Sequence, residues 1–265
     1  MTDSRIKSLI YQNWPFYLIS FLLLFGLKYF YSRAGSNELA WILAPTAWWV
    51  RILSGIPFEW AAGIGYVSHA CRFIIAPSCS GVQFLIITAA TLLYSFLHRM
   101  DSRKSRVCWL VLSFTAAYFC TIIVNGLRIL LSIRLPLLLH PENSGGWLTP
   151  GRLHTITGVA VYFTGLFIIY RTADFLTWNR GRRAGKNRTF PASLPHGGCF
   201  LSAVQTYLPP LFWYFFIVLG IPLLNSSRQS GRGEYSEYAL LITSVCLIVI
   251  FPFFIVSVIR RRRRK

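Results

Sequence analysis

The sequence predicts an all-α, polytopic membrane bundle of about eight transmembrane helices, and three observations carry that reading. The chain is 54% hydrophobic and 16% aromatic, with a mean hydropathy of +0.51, a composition seldom found in a soluble domain. Its apolar residues come in runs close to the ~20 residues that one bilayer crossing needs. Its basic residues fall between and after those runs, as cytoplasmic loops of a membrane protein do. That distribution sets aside nucleic acid as the reason for the net charge of +19. No internal repeat and no soluble domain is visible, so residues 1–265 read as a single integral membrane domain.

A short basic lead with Arg5 and Lys7 precedes the first run, Trp14 to Tyr31. That run lacks a small-residue cleavage site and is aromatic to its end, so it reads as a retained span. Lys28 can snorkel to the far surface. After a polar break, Leu39 to Ile56 is apolar but interrupted by Pro45 and Arg51, and Trp60 to Ile75 contains His69 and Arg72. These two segments are either a pair of short spans or a re-entrant hairpin; both add an even number of crossings. Val82 to Leu97 is a strong span, followed by Arg99, Arg103, Lys104 and Arg106. Val107 to Val124 crosses back into Asn125-Gly126-Leu127-Arg128, then come Ile129 to Leu139 and a turn-rich segment, His140 to Gly151. His154 opens the next span, which ends near Tyr170. A basic loop, 171–206, carries Arg171, Arg180, Arg182, Arg183, Lys186 and Arg188, with Cys199 to Val204 as a surface segment. Spans at Tyr207 to Leu224 and Tyr238 to Ile259 follow, and the chain stops at the basic tail 260–265, read as a topological anchor attracted to anionic membrane lipids.

The stretch Ala76-Pro77-Ser78-Cys79-Ser80-Gly81-Val82-Gln83-Phe84 sets a thiol at the mouth of a membrane helix. Ser80 and Gln83 have capping-box spacing, so the helix can start at Ser80; Ser78 is the alternative cap. Either start leaves Cys79 near a helix N-terminus, whose partial positive charge favours the nucleophilic thiolate. Gly81 leaves room for a substrate backbone. The plainer reading is a small packing residue, which free cysteines commonly are; Cys108, Cys120 and Cys246 are assigned to it. The six cysteines show no metal-binding spacing; the sequence implies no metal or organic cofactor. A Cys71–Cys79 disulfide would disable the nucleophile.

With the basic loops and tail in the cytoplasm, both termini are inside, and Cys79, Arg128 and His154, from three spans, share the extracytoplasmic boundary. Five of the eight acidic residues, Glu38, Glu59, Glu142, Glu234 and Glu237, fall on that same side. Ionisable groups at membrane level are costly and mark functional sites. Arg128 follows Asn125 by three positions, so both can point along one helical face. Asn125 can hold the guanidinium or bond a substrate carbonyl, and Gly158 clears space on the face of the His154 imidazole. Taken singly, Arg128 also reads as a snorkelling interface arginine and His154 as a polar cap. His69 and His140 lie on the outer side too, in weaker local contexts.

The patterns Cys79-Ser80-Gly81, Asn125-Gly126-Leu127-Arg128 and His154-Thr155-Ile156-Thr157-Gly158, in this order, resemble those of the exosortase/archaeosortase family. The resemblance covers a core of about 72–170. The stretch Trp41 to Ala47, with Ala76 to Phe84, looks most like the exosortase K subgroup. The resemblance implies a cysteine transpeptidase, a membrane hydrolase of the bacterial cytoplasmic (inner) membrane, that works in protein sorting. Its partner would be an exported protein ending in a short motif, an apolar helix and a basic tail. Cleavage would pass through a thioacyl intermediate, with transfer to an acceptor the sequence does not name. The catalytic residues would be Cys79, Arg128 and His154, with Asn125, Ser78, Ser80, Gly81 and Gly158 in support. Other readings are a different outer-face acyltransferase or protease using the same thiol, and a transporter. Transporters place their sites near the midplane in repeated broken helices, which this pattern does not show.

Overall fold

Helix dominates because most apolar runs are long, carry few helix breakers and are spaced by short polar turns. The structure, a computed structural model, describes residues 2–139, 148–183, 199–226 and 232–262. In order they form α1 (Thr2–Tyr31), α2 (Ala40–Ser54), strands β1 (Glu59–Ala61), β2 (Gly65–Ser68) and β3 (Phe73–Ile75), a 3-10 turn (Pro77–Cys79), α3 (Val82–Phe96), α4 (Arg103–Leu139), α5 (Pro150–Arg183), α6 (Cys199–Phe215), α7 (Ile221–Ser226) and α8 (Arg232–Arg262). They make two compact units, Met1–Tyr162 and Phe163–Lys265.

The expected eight spans are not found. Among the described residues five helices are long and apolar enough to cross a bilayer: Asn13–Tyr31, Pro77–Arg99, Arg103–Leu139, Pro150–Trp178 and Tyr235–Val256, with a shorter apolar helix at Tyr207–Leu223. The chain is a multi-pass helical membrane protein with fewer crossings than its apolar runs suggest. The difference of three comes from that shorter helix and from the two weak segments. The first is α2, whose 15 residues reach about 22 Å at 1.5 Å per residue, short of the hydrocarbon thickness. The second is neither a span nor a helical hairpin but an antiparallel sheet of order β1-β2-β3, a departure from the all-α expectation. Its registers pair Trp60 with Tyr66 and Val67 with Ile74. Aromatic and β-branched residues favour this pleated surface, and Gly63 and Gly65, both at positive φ, turn the first hairpin. Arg72 takes a left-handed φ of 51° in the second turn.

In the first unit α3 is the central helix: 83% of its apolar stretch is buried, against 11% for that of α1. Tyr17 of α1 stacks on Tyr94 of α3 at 5.7 Å. The buried side of α4 reads Ser113, Ala117, Thr121, Asn125, Ile129 and Ile133, a four-residue period that makes one narrow stripe. Small and hydroxyl-bearing residues there let helix backbones approach closely, as membrane helices commonly do. Thr121 returns its hydroxyl to the carbonyl of Ala117 at 2.7 Å, so this hydroxyl is satisfied within its own helix.

Helix α2 docks on α4 at two points. Trp49 packs its ring against Gly126, where any side chain would collide with it. At the other point Pro45 lies inside α2 and has no N–H for the carbonyl of Trp41 four residues before it. The Tyr118 hydroxyl of α4 donates to that carbonyl at 2.9 Å, and its ring stacks on Trp41 at 5.7 Å. A helix defect thus becomes an interhelical bond.

The second unit is held by aromatic contacts: Phe163 meets Tyr214 edge-on at 5.3 Å, and Tyr207 stacks on Phe167 at 5.1 Å. Helix α5 runs on to Arg183, so the first part of the expected basic loop is helical, with Arg171 3.9 Å from Asp174. The segment Cys199 to Val204 is the start of α6. Phe216–Gly220 widens into a π-turn just before Pro222. Lys186 and Arg188 of the loop, and tail residues 263–265, lie outside the described residues.

The Tyr118 bond yields a non-additive expectation. Tyr118→Phe should lower unfolding stability in detergent by about 1 kcal/mol, the usual net worth of a hydrogen bond. In a Pro45→Ala background, where the helix supplies its own donor, the same change should cost markedly less. Equal losses in both backgrounds would show that the proline-freed carbonyl is not what Tyr118 serves.

Candidate active site

The site is built from three places in the first unit: the turn before α3, the middle of α4 and the first turns of α5. Pro77–Cys79 forms a 3-10 turn closed by bonds from the N–H of Cys79 to the carbonyl of Ala76 at 2.8 Å and from Ser80 to Pro77 at 3.1 Å. Gly81 then takes φ +77° and caps α3, which begins at Val82. The expected capping box of Ser80 with Gln83 does not form. The buried Ser80 hydroxyl instead accepts a long 3.4 Å bond from the Val82 N–H, because the left-handed residue between them moves the helix start past Ser80. Ser78 is exposed on the turn, and Cys79 is half-buried.

Gly81 does not leave space for a substrate. A Cβ there would sit 2.9 Å from Cγ of Asn125 and 3.0 Å from Cγ2 of Thr121. The room is filled by α4, and the glycine is required both by its φ and by that approach. Across it, Nδ2 of fully buried Asn125 donates to the carbonyl of Cys79 at 2.7 Å. The amide oxygen of Asn125 accepts from the Tyr162 hydroxyl at 2.6 Å and, at 3.5 Å, from Nη1 of Arg128. This set of partners fixes the amide's orientation, since the opposite one would face two acceptors together at Cys79 and two donors at Arg128.

Arg128 lies within α4, which continues to Leu139, rather than after the end of a span. Its Nη1 also donates to the Tyr162 hydroxyl at 3.3 Å, and its guanidinium lies 5.2 Å from the centre of the Tyr162 ring. Its Nη2 is 2.7 Å from Nε2 of His154. Arginine only donates, so Nε2 is the acceptor and the neutral imidazole carries its proton on Nδ1. Gly158 serves the arginine, not the imidazole face: a Cβ there would lie 3.1 Å from Nε of Arg128. Among the described residues no carboxylate pairs with this guanidinium, so its charge is shared among neutral partners.

Cys79, Asn125, Arg128 and His154 therefore belong to one hydrogen-bonded chain, entered through the backbone of Cys79. Cys71 and Cys79 are both free thiols. His69 is exposed in the turn between β2 and β3, and His140 lies outside the described residues. Among the described residues no group of His, Cys, Asp and Glu could hold a metal. Tyr162 was missed by the sequence reading. Its signal was present in the spacing His154, Gly158, Tyr162, which puts all three on one face of α5; Phe84 of α3 stacks on its ring at 4.8 Å.

Gly81→Ala should destabilise the protein by about 1–2 kcal/mol through left-handed strain alone, with further loss from displacing Asn125. Gly81→Asn relieves the strain but keeps the collision, so it should remain below wild type in thermal unfolding. Full stability of both variants would contradict the close approach of the turn to α4.

The family model for transmembrane exosortase (Exosortase_EpsH) matches residues 6–171, a stretch that contains every residue of this network. No curated protein and no solved structure matches the chain. With more than half of its length matched, and with the helices that the family's description requires, this chain belongs to the transmembrane exosortase family.

Proposed function

We propose that the protein is a cysteine transpeptidase that cleaves the C-terminal sorting signal of exported proteins and transfers them to an acceptor nucleophile. Its substrate ends in a short motif, an apolar helix and a basic tail. The site faces the extracytoplasmic side of the bacterial cytoplasmic membrane, with both termini inside. The observation that carries the reading is the chain of bonds from the Cys79 carbonyl through Asn125 to Arg128 and His154. It gathers a thiol-bearing turn, a cation with no carboxylate partner among the described residues and an imidazole from separate helices.

The roles follow from donor chemistry. The guanidinium turns an Nη2 N–H from His154 to the substrate carbonyl, which frees Nε2 to accept the Cys79 thiol proton. Sγ adds to the carbonyl carbon, and Arg128 holds the resulting oxyanion. The tetrahedral adduct collapses, the C–N bond breaks, and the amine leaves with the proton held at Nε2. A thioester on Cys79 remains, splitting one hard step into two easier ones. An incoming hydroxyl, amine or water then loses its proton to His154 and attacks the thioester, and the thiolate leaves and takes that proton back. Asn125 holds the thiol turn directly and meets the guanidinium only at 3.5 Å. Ser80 and Gly81 shape the turn, and Gly158 gives Arg128 its place.

Processing of a co-expressed reporter bearing such a C-terminal signal tests the proposal. Cys79→Ala should abolish cleavage while membrane insertion persists. Arg128→Ala should lower kcat by about 10²–10³-fold, the usual loss of one oxyanion donor. His154→Ala should be similarly impaired. In wild type a hydroxylamine-sensitive adduct should form on Cys79. Normal processing by Cys79→Ala would remove the nucleophile and the proposal with it.

A further inference from the structure

We propose that Tyr162 is a positioning residue: its hydroxyl pins Nη1 of Arg128 so that Nη2 is presented to His154 and to the reacting carbonyl. The inference rests on the roles just given to Arg128 and His154. A guanidinium is a planar fork. With one amino nitrogen held, the other is limited to a short arc about it, so the partner of Nη1 decides which groups Nη2 can reach: His154 at rest and the substrate carbonyl in the reaction. The Asn125 oxygen, at 3.5 Å, is a weak anchor, whereas Tyr162 holds Nη1 from the hydroxyl at 3.3 Å and lies under the charge with its ring.

The tyrosine is itself held from both sides. It donates to Asn125 at 2.6 Å and stacks on Phe84 at 4.8 Å. Its hydroxyl therefore accepts from the cation and donates to the amide, whose N–H in turn donates to Cys79. Hydrogen bonds aligned in one direction polarise each other, so the position of the guanidinium and that of the thiol turn are set together. Nε of Arg128 is buried without a partner and faces Gly158. That donor cannot share the work, which leaves the orientation to Nη1. A ring used only for packing would gain nothing from a hydroxyl placed between a cation and an amide oxygen.

Tyr162→Phe keeps the ring, the stack and the face under Arg128, and removes only the oxygen. In lipid bilayers with ¹⁵N-labelled histidine, wild-type His154, identified by its loss in His154→Gln, should show the single tautomer with the proton on Nδ1. Tyr162→Phe should relax it to a mixture. In the reporter assay kcat should fall about tenfold with KM unchanged, the scale of one hydrogen bond to a charged group. In an Arg128→Lys background, where the fork is gone, Tyr162→Phe should add no further loss. An unchanged tautomer, or losses that simply add, would overturn the positioning role. If wild type processes no reporter, the transpeptidase reading falls, and the tautomer measurement still decides for or against Tyr162.

Discussion

The amide of Asn125 makes the contact on which the site depends. One end donates to the carbonyl of Cys79 and the other accepts from Tyr162 and Arg128. Buried amides are costly when half satisfied, so the thiol turn and the Tyr162 hydroxyl must both be in place for this residue to be stable where it is. The neighbouring residues serve that requirement. Gly81 lets the turn approach, Thr121 packs beside it, and Gly126 accepts Trp49 on another face of the same helix. The adjacent pair Asn125-Gly126 thus joins the turn before α3 and the helix α2 to a single point on α4.

Much of this was legible in the sequence, and the gaps have physical causes. Helical membrane character follows from composition and run length, which depend on no tertiary context. The span count does not, because a run such as Trp60 to Ile75 is apolar enough for a crossing, while its glycines and β-branched residues decide for a sheet. Periodicity alone does not separate short buried strands from helix. The continuation of α4 through Arg128 was hidden by an Asn-Gly pair that reads as a break. It is stabilised by the α2 packing on Gly126, a long-range contact that no local window contains.

At the site, the grouping of Cys79, Asn125, Arg128 and His154 could be anticipated from their places near the ends of successive apolar runs. The functions assigned to the glycines could not. Spacing suggested that Gly81 and Gly158 open space for a substrate or an imidazole, whereas both are filled by the molecule's own side chains, Asn125 and Arg128. A glycine in a sequence marks a close approach but does not say what approaches. Tyr162 escaped for a related reason: an aromatic residue in an apolar run reads as packing until a cation is found against its face.

The choice of partners around Arg128 bears on the proposed chemistry. A guanidinium removed from bulk water needs acceptors, and a carboxylate would be the strongest. It would also cancel much of the field that a developing oxyanion requires, since two opposite charges in contact leave little for a third group nearby. A phenol oxygen, an amide oxygen and a neutral imidazole nitrogen accept from Nη1 and Nη2 while leaving the net charge intact. Of the three, the imidazole is the one that must let go, because two donors cannot face each other once Nε2 takes up a proton. Release of Nη2 from Nε2 and protonation of the imidazole are thus coupled by geometry. In the proposed reaction the arginine reaches the carbonyl in the same movement that frees the base, so the thiol loses its proton only where a carbonyl is present to receive the sulfur.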